Sequence, residues 1–291
     1  MGLRQEQSII SPDMAERTES ADSARRAYDA IAPLYDAFTE SHDYELWLGQ
    51  LLPVLGTYGL PPRGTLLDMA CGTGKSFVPM VSRGWSVTGC DISQAMIEIA
   101  RRKVAEGAMP VELAVADMRS LPVLGVFDLA WCLTDALNYL LSRVDLESAL
   151  RSMVRNLRPG GLVAFDVNTL LSFQGFFAEE TVVEHEGLRL IWTGRGYEGG
   201  DDGTIATATF EAEPLDPGDE KVLHDAGGVQ REVHKERLFP EAEILAALDQ
   251  AGLECLEVFG HHYDAIFEQP LDEERHTKAA YVARKIGEHH R

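Results

Sequence analysis

The chain has 291 residues, 45% apolar and 25% charged, the balance of a globular protein of two domains or of one with insertions. Lys and Arg number 26 against 47 Asp and Glu, a formal net charge of -21, and a field of that sign repels nucleic acid unless a basic patch offsets it. The nearest basic run, Arg101-Arg102-Lys103, falls inside one predicted helix, no apolar run approaches the ~20 residues of a membrane span, and the first twenty residues lack the apolar stretch of a secretion signal.

Residues 1–20 are polar and unpatterned and read as a flexible tail. Over 21–60 apolar residues recur at helical spacing, first Ala27, Tyr28, Ile31, Leu34 and Tyr35, then Tyr44, Trp47, Leu48, Leu51 and Leu52. Pro33 is expected to break the first helix. From 61 to 170 strands alternate with helices: strands at 65–69, 86–90, 111–115, 127–133 and 162–167, helices at 76–83, 94–106 and 145–157. Ser93 caps the second of these helices, and Arg158-Pro159-Gly160-Gly161 forms a turn before the fifth strand. Such alternation implies right-handed crossovers and a doubly wound parallel sheet, an α/β fold.

After Thr169 the pattern changes. Strands at 181–186, 189–197, 204–212 and 229–237, with a turn at 199–203, read as an antiparallel β insertion spanning 171–237. The acidic excess concentrates late, with 26 acids against 11 bases from residue 171 onward. Over 238–291 a helix at 240–251 and strands at 254–259 and 279–284 complete the core sheet. Cys71, Cys90, Cys132 and Cys255 lie in apolar segments without CxxC spacing, which fits reduced thiols and a cytoplasmic protein.

The chemistry concentrates at Asp68-Met69-Ala70-Cys71-Gly72-Thr73-Gly74-Lys75-Ser76, where a strand enters a glycine turn that opens a helix. A P-loop needs glycine at position 69, which is Met69, and Asp68 would face the phosphates. A dinucleotide loop needs glycine at position 77, which is Phe77. Neither fits, so neither ATP nor NAD is expected to bind.

The segment resembles the first motif of class I S-adenosylmethionine (SAM)-dependent methyltransferases: an acid, small residues, then Gly72-x-Gly74. Further matches follow in order. Asp91 closes the next strand 23 residues on, Asp117-Met118 closes the third, Trp131-Cys132-Leu133 ends the fourth, and Arg158-Pro159-Gly160-Gly161 precedes the fifth. Tyr28-Asp29-Ala30-Ile31-Ala32-Pro33-Leu34-Tyr35-Asp36 is similar to an N-terminal segment of small-molecule members, including sugar-amine and glycine N-methyltransferases.

The resemblance implies a Rossmann-like, seven-stranded, mostly parallel sheet, with 21–60 as a helical lid and 61–170 as the SAM-binding core. It implies SAM contacts from Tyr28, Tyr35, Trp47, Asp68, Ala70, Cys71, Gly72, Gly74, Asp91, Ile92, Met96, Asp117, Met118 and Leu133. Asp91 would accept the ribose hydroxyls, and Ile92 and Met96 would pack on adenine. Asn138 and Asn168 are candidates for contact with the acceptor. An amine nucleophile needs little base, whereas a hydroxyl or carbon nucleophile needs one. The candidates are His262 and Tyr139, with His261 and Asp166 behind them. No metal ligand spacing stands out, and no metal is expected. The function implied is transfer of a methyl group to N, O or C of a small molecule, releasing S-adenosylhomocysteine. The alternatives are a SAM-binding regulatory or scaffold protein without turnover, and an RNA methyltransferase. The insertion 171–237 matches no named segment and reads as an acceptor cap or a homodimer face.

Overall fold

The computed structural model describes residues 12–200, 203–216, 218–225, 231–262 and 266–287. Two helices lead in, α1 (Pro12–Phe38) and α2 (Tyr44–Thr57). The core follows as β1 (Thr65–Met69), α3 (Val78–Ser82), β2 (Ser86–Asp91), α4 (Gln94–Glu106), β3 (Val111–Val115), β4 (Phe127–Cys132), α5 (Arg143–Asn156) and β5 (Leu157–Asn168). After a short α6 (Leu170–Gly175) come β6 (Glu180–His185), β7 (Leu188–Gly200), β8 (Gly203–Pro214), α7 (Glu220–Asp225) and β9 (Glu232–Leu238). The chain ends with α8 (Glu241–Ala251), β10 (Leu253–His261) and β11 (Lys278–Lys285).

Seven strands form one sheet in the order β10-β11-β5-β4-β1-β2-β3. All pairings are parallel except those of β11, which runs antiparallel to both β5 and β10. The central strands carry apolar residues on both faces because helices cover both faces. Leu67, Met69, Ala130 and Phe165 pack toward α5 and α8, while Leu66, Leu129, Trp131 and Ala164 pack toward α2 and α4. Leu48, Leu51 and Leu55 of α2 are buried, each contributing roughly 1.5–3 kcal/mol of apolar transfer. The Ser93 hydroxyl accepts from the Met96 amide at 3.1 Å and caps α4 as its sequence implies.

The four remaining strands form a second, antiparallel sheet in the order β6-β7-β8-β9. Leu190, Trp192, Ala208 and Phe210 on its inward face bury themselves against Ile31, Ala32 and Leu34 of α1 and against Phe173 and Phe177. Asp201 and Asp202 of the turn expected at 199–203, and Val229 and Gln230 of the strand expected at 229–237, lie outside the described residues.

Three local expectations change. α1 starts at Pro12, inside the expected tail, and runs through Pro33 without a break. Packing of Ile31, Ala32 and Leu34 under the second sheet outweighs the backbone hydrogen bond that a mid-helix proline removes. β5 begins at Leu157, so the Arg158-Pro159-Gly160-Gly161 segment belongs to the strand, with Leu157 paired to Phe127 and an irregularity between Phe127 and Leu129.

The strand order reverses between β1 and β4, the neighbours from which the chain winds outward in both directions. Crevices outside the carboxyl ends of strands form at such switch points.

Candidate functional site

β1 delivers Asp68 and then turns sharply through Ala70 (φ 57), Gly72 (φ 53) and Gly74 (φ 90). The turn is held from β2: the Cys71 amide donates to the Cys90 carbonyl at 3.0 Å, and the Gly72 amide to Asp91 Oδ2 at 2.9 Å. Asp91 Oδ1 accepts from the Ser93 amide at 2.8 Å, so one carboxylate fixes both the glycine loop and the start of α4. Asp68 accepts from Ser76 Oγ at 2.6 Å. A side chain at Gly72 would point across the opening toward the Tyr35 ring, 3.8 Å from its Cβ, and the positive φ disfavours it independently. Gly74 plays another part: its missing Cβ leaves room for the Phe77 ring, which a Cβ would meet at 2.5 Å. Phe77 thus stands, fully buried, at the position where a dinucleotide loop has its third glycine. Lys75 Nζ is tied to the Thr39 carbonyl and to Thr39 Oγ1, not poised over a phosphate cradle.

α1 roofs this loop. Tyr28 and Tyr35 face the opening, and the two aspartates beside them anchor the helix. Asp29 accepts from Ser93 Oγ at 2.7 Å and from the Ala95 amide at 3.2 Å. Asp36 accepts from Thr73 Oγ1 at 2.5 Å and pairs with Lys103. The sequence reading noticed the tyrosines and missed these anchors, although their seven-residue spacing places them on one helix face.

The result is a cavity of about 990 Å³ at the switch point. Among the expected residues, Tyr28, Tyr35, Asp68, Ala70, Cys71 and Gly72 line it from α1 and β1, and Asp91, Ile92 and Met96 from β2 and α4. Asp117, Met118, Leu133 and Tyr139 close the far wall. The Asp117 carboxylate is already engaged by Arg119, at 2.6 Å from Nη2.

Other expected residues stand elsewhere. Trp47 is not on this wall. It is 9% exposed, packs edge-on to Phe267 at 5.5 Å, and borders a smaller pocket of about 490 Å³ together with His262. The aromatic periodicity of α2 serves the core there. Gly74 backs the wall through Phe77 and does not line it. Asn138 lines neither the cavity at the switch point, nor the smaller pocket, nor the larger cavity that adjoins the antiparallel sheet: its Nδ2 donates to the Arg237 carbonyl at 2.8 Å and its Oδ1 accepts from the Asn168 amide at 3.0 Å. It satisfies buried backbone, which explains a polar residue at that position. Asp166 accepts from the Thr134 amide at 2.6 Å, the Asp135 amide at 3.1 Å and Lys278 Nζ at 2.8 Å. Burial opposes its charge, but Lys278 wins and holds the carboxyl below its ordinary value. An ionised, fully bonded Asp166 is poorly placed to act as a base.

A second cavity of about 1710 Å³ lies between the first and the antiparallel sheet. It shares Tyr28, Tyr35, Thr134 and Tyr139 with the first, so the two spaces meet at those side chains. Asn168 lines it and donates from Nδ2 to Glu236 Oε2 at 2.8 Å. His234 and Glu236 of β9 also line it, and His234 Nδ1 lies 2.9 Å from the Tyr139 hydroxyl. Neither was singled out from sequence. Their two-residue spacing puts both on one face of a strand, which is the signal that was available.

Residues 66–161 match a methyltransferase domain. YqeM of Bacillus subtilis (strain 168), named as a methyltransferase, is 28% identical over 233 residues, 78% of this chain and 86% of its own length. The dTDP-4-amino-2,3,4,6-tetradeoxy-D-glucose N,N-dimethyltransferase of Saccharopolyspora spinosa is 31% identical over 159 residues, 55% of this chain and 56% of its own. An S-adenosylmethionine-dependent methyltransferase structure from Clostridium acetobutylicum superposes with a TM-score of 0.70 at 22% identity, covering 89% of this chain and 99% of its own. The chain carries a SAM-dependent methyltransferase domain over residues 66–161. Its methyl donor is SAM and its product S-adenosylhomocysteine.

The cavity at the switch point fits SAM on its own chemistry. It offers carboxylates at the ends of β1 and β2 to a cationic, hydroxyl-bearing ligand, and it offers no phosphate cradle. Desolvation pushes the Asp68 carboxyl up to about 7 and the Asp91 carboxyl up to about 6. Both exceed the unfolded value, so the folded chain binds more protons between about pH 4 and 7, and these two groups lose it stability as pH rises through that window. A ligand that pairs with the ionised forms reverses the penalty. SAM affinity is therefore expected to rise from pH 5 to pH 7.5 and then level off. Calorimetry across that range checks it, and a flat profile would separate both carboxyls from SAM binding.

Proposed function

We propose that this methyltransferase acts on a small-molecule acceptor held in the cavity under the antiparallel sheet, and that transfer takes place where that cavity meets the donor cavity. The observation carrying this reading is the shared wall of Tyr28, Tyr35, Thr134 and Tyr139. Asp68, the Gly72 turn, Asp91 and Met118 would hold SAM, and Tyr28 and Tyr35 would cover it. Bound SAM supplies a methyl group on a sulfonium, which an acceptor atom displaces in line.

The chain's own contribution is mainly alignment and exclusion of water. Tyr28 packs 5.0 Å from Tyr139 and 5.6 Å from His234, centroid to centroid, which narrows the junction to an aromatic aperture. The second sheet closes the far side with Trp192 and Phe210. Burial pushes the Tyr139 hydroxyl well above its ordinary value, so it stays a neutral hydrogen-bonding group and does not serve as a phenolate base. His262 borders neither shared wall, so its assignment as a base finds no support in the geometry.

In this reading the segment 171–237 is the acceptor cap, and 21–60 the lid over SAM. The net charge of -21 supports a small acceptor over a nucleic acid. The free thiols Cys71, Cys90, Cys132 and Cys255 support a reducing, cytoplasmic setting. Trp192→Ala tests the division of labour. It removes a ring stacked 4.7 Å from Phe176 at the cavity wall. It is expected to raise the acceptor KM about tenfold and to leave SAM affinity within about twofold. Equal loss of SAM binding would refute a separate acceptor cap.

A further inference from the structure

The acceptor cavity carries a charge imbalance on one wall. Lys278 is the only lysine or arginine among the described residues that line it. That ammonium is spent twice: it pairs with Asp135 and, at 2.8 Å, with Asp166. Burial works against it, but the two carboxylates hold Lys278 well above the ordinary lysine value. Two carboxylates against one ammonium leave the cluster negative before Glu236 is counted. Glu236 adds a third carboxyl, 1% exposed, on the same wall. Its Oε2 accepts from Asn168 Nδ2, a neutral donor. Burial first, and then the charge of Asp135, push the Glu236 carboxyl well above its ordinary value. Lys278, already shared between Asp135 and Asp166, offsets this only in part.

A second observation is independent of charge. His234, two residues earlier on β9 and also 1% exposed, lines the cavity with its Nε2 lacking any hydrogen-bond partner among the described residues. Desolvation lowers its pKa to about 4, so it is a neutral imidazole near pH 7 and adds no positive charge to this wall. An unsatisfied buried nitrogen costs free energy unless a ligand meets it. Around both residues the wall is aromatic, with Tyr28, Tyr139 and Trp192, whose faces attract cations.

We propose that Glu236, backed by Asp135, forms a subsite for a protonated amino group on the acceptor, with His234 Nε2 hydrogen-bonding to the same molecule beside it. This rests on the methyl-transfer reading above and names the acceptor class for that cavity. An ammonium supplies the charge the wall lacks, whereas a hydroxyl in the same place leaves Glu236 buried without a counter-ion. Three carboxyls and one lysine exclude an anionic group there. Glu236 is a binding and selecting residue in this account. No proton transfer is assigned to it.

The test uses the full chain saturated with S-adenosylhomocysteine and a matched pair of probes, 2-phenylethylamine and 2-phenylethanol, titrated by calorimetry at pH 7.5. The amine is expected to bind at least about tenfold more tightly than the alcohol. In Glu236→Gln, which keeps shape and the Asn168 contact, the preference is expected to vanish while S-adenosylhomocysteine affinity stays within about twofold. Equal binding of the two probes by the parent protein, absence of binding by both, or a preference that survives in Glu236→Gln would overturn the subsite. A parallel assay keeps the two readings apart by following S-adenosylhomocysteine release from SAM with a mixed pool of amines and hydroxyl compounds. Release with hydroxyl compounds alone would overturn the subsite and keep small-molecule methyl transfer. Release with none would overturn small-molecule transfer itself.

Discussion

Asp91→Ala is expected to weaken SAM binding by ~1.5–3 kcal/mol, roughly 10- to 150-fold. Two losses combine. The carboxylate that would meet a hydroxyl-bearing ligand disappears, and so do the acceptors for the Gly72 amide at 2.9 Å and the Ser93 amide at 2.8 Å. The glycine turn then loses its tie to β2. Asp91→Asn keeps one acceptor oxygen without charge and is expected to fall between parent and alanine. Folding stability moves differently. Removing a carboxyl whose charge is already disfavoured by burial relieves part of that penalty near pH 7. Calorimetric titration with SAM, beside a thermal melt without ligand, separates the two effects. Parent-like SAM affinity in Asp91→Ala would remove the residue from the site.

Lys278→Ala is expected to be the most damaging single change to the fold, at ~3–5 kcal/mol. The ammonium is almost wholly buried and is shared between Asp135 and Asp166. Its removal strands both carboxylates, and Asp166 also holds the Thr134 and Asp135 amides. Those two residues stand at positive φ, 62° and 52°, a conformation that costs non-glycine residues free energy and persists only while it is held. Urea unfolding gives the reading: a lower midpoint with an unchanged slope. Lys278→Met keeps most of the aliphatic stem, so a loss close to that of alanine identifies charge over packing as the cause. A cost below about 1 kcal/mol would show that the buried ion cluster is not what holds the turn after β4.

Much of the core was legible because its signals are local. The glycine turn needs its residue types within seven positions, the Ser93 cap within four, and buried parallel strands announce themselves as apolar runs. Asp91 and Asp117 follow from lying where strands end. The legible part stops where a side chain's partner is distant in sequence. The periodicity of α2 says that Trp47 is buried but not that Phe267 is its partner. Asn138 looks like a ligand contact because it is polar at a strand-end turn, and only the path of β9 reveals that it serves the Arg237 carbonyl. His234 meets Tyr139 across 95 positions, and Lys278 reaches Asp135 across 143. Pro33 misled for the opposite reason: a local rule gave way to packing supplied by a sheet 150 residues later.

α1 is a shared mechanical part. Asp29 and Asp36 bolt it to the donor loop and to α4, while Ile31, Ala32 and Leu34 bury themselves under the second sheet. Tyr28 and Tyr35 belong to the walls of both cavities. Any repositioning of the helix that one ligand favours is felt by the other. Such coupling is reciprocal: whatever factor SAM contributes to acceptor affinity, the acceptor returns to SAM. After transfer the same linkage applies to the two products, so the departure of one resets the grip on the other. The strength of that coupling is therefore set in part by one helix, and substitutions along its buried face are expected to change it without touching either ligand.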